Sequence, residues 1–245
     1  MFKKLTHYLL LFLLATTPIN TQALPPKLKT TLEILKDLSL VYPKVYVFSF
    51  LTTYIHEVGH TISAKALLNA YDIRITVPVK SPLQDPLSFG RSGGLTDFST
   101  PEPLAEQFKN NKWLRLRAAC MCLMGPLAGL TSIYCVLKAS TVFNDLLANN
   151  NDTIRNITLN AIKKPLINPQ QDFSLVIWGA FLATCQLDQL LRLDLPDSDG
   201  TGALEALDIE NPGKKHPDFF KSVCNILGYV PPVASLYALY KLSKK

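Results

Sequence analysis

Charge is scarce in this chain. Asp, Glu, Lys and Arg supply 18% of its 245 residues, against roughly 25% in an ordinary soluble domain. The apolar share is 48% and the mean hydropathy is +0.15. Membrane helices joined by polar loops fit these values better than a wholly buried bundle does. The net charge is +6, but the basic residues are scattered. With no basic stripe interleaved with aromatics, nucleic acid is excluded as an expected partner. Cysteine is sparse as well: Cys120, Cys122, Cys135, Cys185 and Cys224. An odd count without framework spacing excludes a disulfide scaffold. Four of the five fall in apolar stretches, and Cys120-x-Cys122, a spacing that could bind metal, reads instead as buried free thiols. Internal repeats are missing, and the loops are too short to hold a separate regulatory domain.

What is present is organised as apolar segments. Lys3 and Lys4 precede an apolar run from Tyr8 to Ala15, and Thr21-Gln22-Ala23 has the small-residue character of a cleavage site. Residues 1–23 therefore read as a signal peptide or, uncleaved, as an N-terminal anchor, and 24–245 as one membrane domain. The run is short for a spanning helix, which needs about 20 residues. Four longer segments follow, at about 45–68, 113–136, 173–193 and 223–242. Each mixes small and polar residues into an apolar background, and Pro126, Pro231 and Pro232 lie inside two of them. Proline is tolerated in membrane helices, where neighbours re-satisfy the freed carbonyls. Tyr71 to Val79 alternates apolar and polar residues, which predicts a strand. Gly90, Gly93 and Gly94 mark a turn before a second strand. Asn144 to Gln171 is polar and reads as a loop, and its two N-x-T sequons, at Asn151 and Asn156, read as chance occurrences.

The chemistry is concentrated in His56-Glu57-Val58-Gly59-His60, an H-E-x-x-H pattern. On a helix, residues four apart share a face, so both imidazoles reach one ion. Glu57 sits beside them, where a carboxylate can take a proton from metal-bound water. The bland alternative is a surface helix with solvated side chains. Depth argues against it. His56 lies about 16 Å into its apolar segment at 1.5 Å per residue, and ionisable groups at that depth are costly and functional. Two histidines leave a third ligand to be found. Asp199, in LDLPDSDG, is the strongest candidate, against a plain turn built from the same Pro, Asp, Ser and Gly. A calcium loop fails, since its first and twelfth positions would be Leu195 and Ala206. If the first three segments all span, Asp199 reaches the histidines only by dipping back into the bundle.

Three separated motifs line up with one family. HEVGHTISAKAL resembles the first core helix of the site-2 proteases, intramembrane zinc metalloproteases. MGPLAG, Met124 to Gly129, is similar to that family's G-P-x-A segment, and LDLPDSDG to its third motif, which ends in Asp-Gly. The chain departs from the pattern at Gly129, where asparagine is common, and ahead of Asp199, where Asp194 is the polar residue nearest to the family's asparagine. The resemblance implies a mainly α, multi-pass membrane protein. It would have a three-helix core plus a fourth helix, with a small β element between the first two core helices. It further implies Zn2+ held by His56, His60 and Asp199, with Glu57 as general base. The implied substrate is a transmembrane protein, cut within or near the lipid bilayer. Two alternatives remain at this point: a proteolytically inactive membrane scaffold of the same fold, and an exported soluble zincin.

Overall fold

A computed structural model describes residues 26–77, 94–148, 154–167, 172–193, 195 and 198–243. The signal or anchor segment at 1–23, Gly90 and Gly93, Asn151, Asp194 and Asp197 lie outside the described residues. The chain divides into two compact units, 1–47 and 48–245. Every feature of the candidate site belongs to the second.

The order of elements is α1 (Pro26–Leu68), β1 (Tyr71–Thr76), β2 (Leu95–Ser99), α2 (Leu104–Asn110), α3 (Lys112–Ala148), α4 (Ile154–Lys163), α5 (Phe173–Leu191), α6 (Asp199–Ala206), α7 (Pro212–Lys215) and α8 (Pro217–Ser243). The protein is mainly helical with a small antiparallel sheet, as expected. The helix expected to start after Pro43 begins instead at Pro26. The residues ahead of Pro43 are rich in Leu and Lys, which favour helix, and one proline removes a single donor without stopping it. The second expected helix likewise extends to Ala148.

The stretch expected to be a loop, 144–171, holds the end of α3 and all of α4. Ile154, Ile157 and Ala161 recur at helical spacing within it, a weak periodic signal masked by the surrounding asparagines. Lys138 on α3 donates to the carbonyls of Ile162 and Lys164 and so caps the end of α4. Lys164 returns an ion pair to buried Asp145 at 2.7 Å. Asn156, the described sequon residue, lies on α4.

Among the described residues, two helical stretches are long and apolar enough to cross a membrane, Lys112–Leu147 and Phe173–Leu191. Four had been expected. The apolar part of α1 carries Thr52, Thr53, His56, Glu57, His60, Thr61, Ser63 and Lys65, which lowers its hydropathy.

Two apolar clusters order the second unit. Phe48 on α1, Ile133 and Leu137 on α3, and Val176 and Leu182 on α5 form one. Leu68 on α1, Leu114, Ala118 and Ala119 on α3, and Ala203 and Ala206 on α6 form the other. The partner of α1 and α3 therefore changes along the bundle: it is α5 in the first cluster and α6 in the second. The changeover comes between them, level with His56 and His60. There the helices touch closely. An added Cβ on Gly59 would lie 2.5 Å from the Met124 carbonyl oxygen and 2.7 Å from the Ala128 Cβ, so α1 and α3 cross backbone to backbone.

β1 and β2 pair antiparallel, with Arg74 opposite Asp97 and Ile75 opposite Thr96. The first strand ends at Thr76, one residue before the described stretch does; Pro78 and Val79, which were expected to continue it, lie outside the described residues.

Candidate metal centre

His56 and His60 sit on consecutive turns of α1, both about 8% exposed. Each has its Nδ1 occupied from outside the helix. His60 Nδ1 lies 3.0 Å from the Met121 carbonyl oxygen, which can only accept. His56 Nδ1 lies 2.7 Å from Gln186 Oε1 on α5. With the hydrogens on Nδ1, both Nε2 atoms turn their lone pairs to one place, 3.1 Å apart. Two facing lone pairs repel unless a cation lies between them.

Asp199 completes the group. Its Oδ1 is 3.1 Å from His60 Nε2 and its Oδ2 is 3.3 Å from His56 Nε2. Oδ2 is buried yet takes no hydrogen bond in that geometry, an orphaned acceptor of the kind a metal satisfies. The three ligand atoms lie within 4.8 Å of one another, so His56, His60 and Asp199 form a group able to hold a metal ion. Two nitrogens and one carboxylate oxygen, with a cavity beside them, are a donor set that suits a catalytic metal with an open position.

The local sequence explains how Asp199 arrives. Helix α5 stops at Leu191, and α6 begins at Asp199 itself, capped by the Ser198 hydroxyl, which accepts from the Thr201 amide. A carboxylate in the first turn is favoured by the helix dipole. Gly200 must be glycine, because a Cβ there would overlap the Leu190 carbonyl. Asn211 locks the turn: its amide nitrogen lies 2.9 Å from the Leu193 carbonyl and 3.2 Å from the Thr201 hydroxyl, and its oxygen accepts from the Gly213 amide at 2.8 Å. Asp199 and Gly200 lie beside the last turn of α5, where Gly200 approaches the Leu190 carbonyl.

Glu57 is 3% exposed. Its Oε2 accepts from the Thr96 hydroxyl on β2 at 2.7 Å, and its Oε1 lies 3.9 Å from His56 Nε2. The β element therefore holds the carboxylate from one side while the ligands flank it on the other. A cavity of about 370 Å³ opens here, lined by Thr53, Leu95, Phe98, Cys122 and Gln189 as well as by the site residues. Among the described residues, no lysine or arginine lines it.

All four residues singled out from the sequence, His56, Glu57, His60 and Asp199, come together. Sequence reasoning missed Gln186 and Thr96. Gln186 left a signal, a carboxamide inside an apolar helix. Thr96 left none, since a threonine in a strand is ordinary. The second motif acts through what it lacks: a Cβ on Gly125 would overlap His60 Nε2, and one on Gly129 would overlap Gln186 Oε1. No family model, curated protein or solved structure matches this chain.

Proposed function

We propose that this protein is a multi-pass membrane zinc endopeptidase of the site-2 type, which hydrolyses a peptide bond of a transmembrane substrate within or near the bilayer. The convergence of His56, His60 and Asp199 beside Glu57 carries this reading. Three motifs that resemble those of one family, far apart in sequence, supply the two imidazoles, the glycine that makes room for one of them, and the carboxylate.

The donor set favours zinc, and a zinc ion bound there would act as a Lewis acid toward the scissile carbonyl and toward the attacking water. The chain's own residues do the rest. Glu57, with Oε2 tied to Thr96, presents Oε1 to the ligand side and takes the proton of the attacking water. Met121 and Gln186 keep the two Nε2 atoms unprotonated and aimed at one point. The cavity supplies room for a short extended peptide segment.

Large apolar side chains exposed on the helices support the bilayer part of the reading. Phe50, Leu51, Tyr54 and Ile62 on α1, and Leu123, Leu127, Tyr134, Phe143 and Leu147 on α3, are all exposed. A surface of that kind suits lipid and would aggregate in water. It speaks against a soluble zincin. The retained Glu57 speaks against an inactive scaffold.

The test compares membrane-protein fragments in cells making the wild type with those in cells making Glu57→Gln. Juxtamembrane or intramembrane cleavage products present with the wild type and missing with the variant are expected. Identical fragment profiles would overturn the protease reading.

A further inference from the structure

We propose that Gln186 is the positioning residue of His56, and that residue 129 is glycine because the Gln186 carboxamide occupies the space a side chain there would need. The inference rests on the metal-site reading above and deepens it.

The two histidines are oriented differently. His60 leans on a backbone carbonyl, Met121 O, which no substitution removes. His56 leans on a side chain from another helix, Gln186 Oε1 at 2.7 Å and 130 residues away in sequence. Gln186 is 7% exposed and stands on a helix apolar enough to cross a membrane. A buried carboxamide there is costly unless it is hydrogen-bonded. The partner it has is a candidate metal ligand. By accepting from Nδ1–H, the amide oxygen fixes the tautomer that leaves Nε2 free for a metal and fixes the plane of the ring.

Gly129 enters from the opposite helix. A Cβ built on it would overlap Gln186 Oε1 and lie 3.1 Å from Gln186 Nε2. The overlapped atom is the one that His56 uses. A methyl group at 129 would therefore push the carboxamide off the imidazole, while the glycine leaves its seat open. The neighbouring Ala128 turns its Cβ toward Gly59 on α1 instead, so the small residues of this stretch have separate tasks. Positions 129 and 186, on α3 and α5, act as one device that sets His56.

The experiment measures zinc affinity of the detergent-purified full chain by competition with a chromophoric chelator, without any substrate. Gln186→Leu should bind zinc about 10- to 100-fold more weakly than the wild type, the usual effect of removing a ligand's outer hydrogen-bond partner. Gln186→Glu, whose carboxylate accepts the same hydrogen bond, should stay within a few-fold of the wild type. Gly129→Ala should weaken binding like Gln186→Leu. The double variant should be no weaker than Gln186→Leu alone, because the methyl acts only through the carboxamide. Wild-type affinity in Gln186→Leu would overturn the inference, as would Gln186→Glu binding as weakly as Gln186→Leu. An equal cost of Gly129→Ala in both backgrounds would do the same. A wild type that bound no zinc would overturn the metal reading itself, and the inference with it.

Discussion

His60 Nε2 on α1 stands 3.1 Å from Asp199 Oδ1 at the first position of α6. The contact joins the start of a short helix to the middle of a long one, and Ser198, Gly200 and the Asn211 network hold the carboxylate there. If that carboxylate is a ligand, losing it should cost as much as losing a histidine. Asp199→Ala and His60→Ala are both expected to reduce bound zinc from one ion per chain to background, read by elemental analysis after dialysis. Full zinc in Asp199→Ala would remove Asp199 from the site.

Glu57 and Thr96 should separate metal binding from turnover. Glu57→Gln removes the base and leaves the ligands, so zinc should stay while cleavage of a substrate falls by a factor of about 10² to 10⁴, the usual span for general-base loss. Thr96→Val removes only the hydroxyl that donates to Oε2 at 2.7 Å. A hydrogen bond to a charged group is worth about 1.5–3 kcal/mol, so the rate should drop about tenfold or more with zinc unchanged. A Thr96→Val protein at the wild-type rate would show that β2 does not orient the base.

Gly59 tests the helix crossing. Its missing side chain lets the Met124 carbonyl approach to 2.5 Å of where a Cβ would be. Backbone cannot yield as a flexible side chain does. Gly59→Ala is expected to destabilise the protein by about 1–3 kcal/mol, in the range for overpacking, with a lower thermal midpoint in detergent. An unchanged midpoint would mean that α1 and α3 are not held at this distance.

Membrane insertion is separable from catalysis. Alkaline carbonate strips peripheral proteins and leaves spanning ones. Wild type and Glu57→Gln should both remain in the pellet, given Lys112–Leu147 and Phe173–Leu191 and the exposed apolar side chains beside them. Release into the supernatant would favour the soluble zincin instead.

The sequence by itself determined which candidate metal-binding groups share a helix face. H-E-x-x-H at helical spacing puts His56, Glu57 and His60 together on any helix, because side chains four apart share a face whatever surrounds them. Apolar segment length located four of the helices, each within a few residues of at least one end. The alternation at Tyr71 announced a strand. These are local properties, carried by neighbouring residues.

The tertiary structure decided the rest. Asp199 could have been a plain turn residue, the rival reading of LDLPDSDG. Only the end of α5 at Leu191 and the restart at α6 bring its carboxylate between the imidazoles. Gln186 and Thr96 acquire roles through partners 130 and 39 residues away, contacts that no window of sequence contains. The glycines of MGPLAG carry no local signal of what they face. Their use depends on which atom stands opposite: His60 Nε2 for Gly125, the Gln186 carboxamide for Gly129. A sequence specifies which groups a chain carries and at what local spacing. Which distant groups share a cavity follows from how α1, α3, α5 and α6 pack, and that packing is a property of all four together.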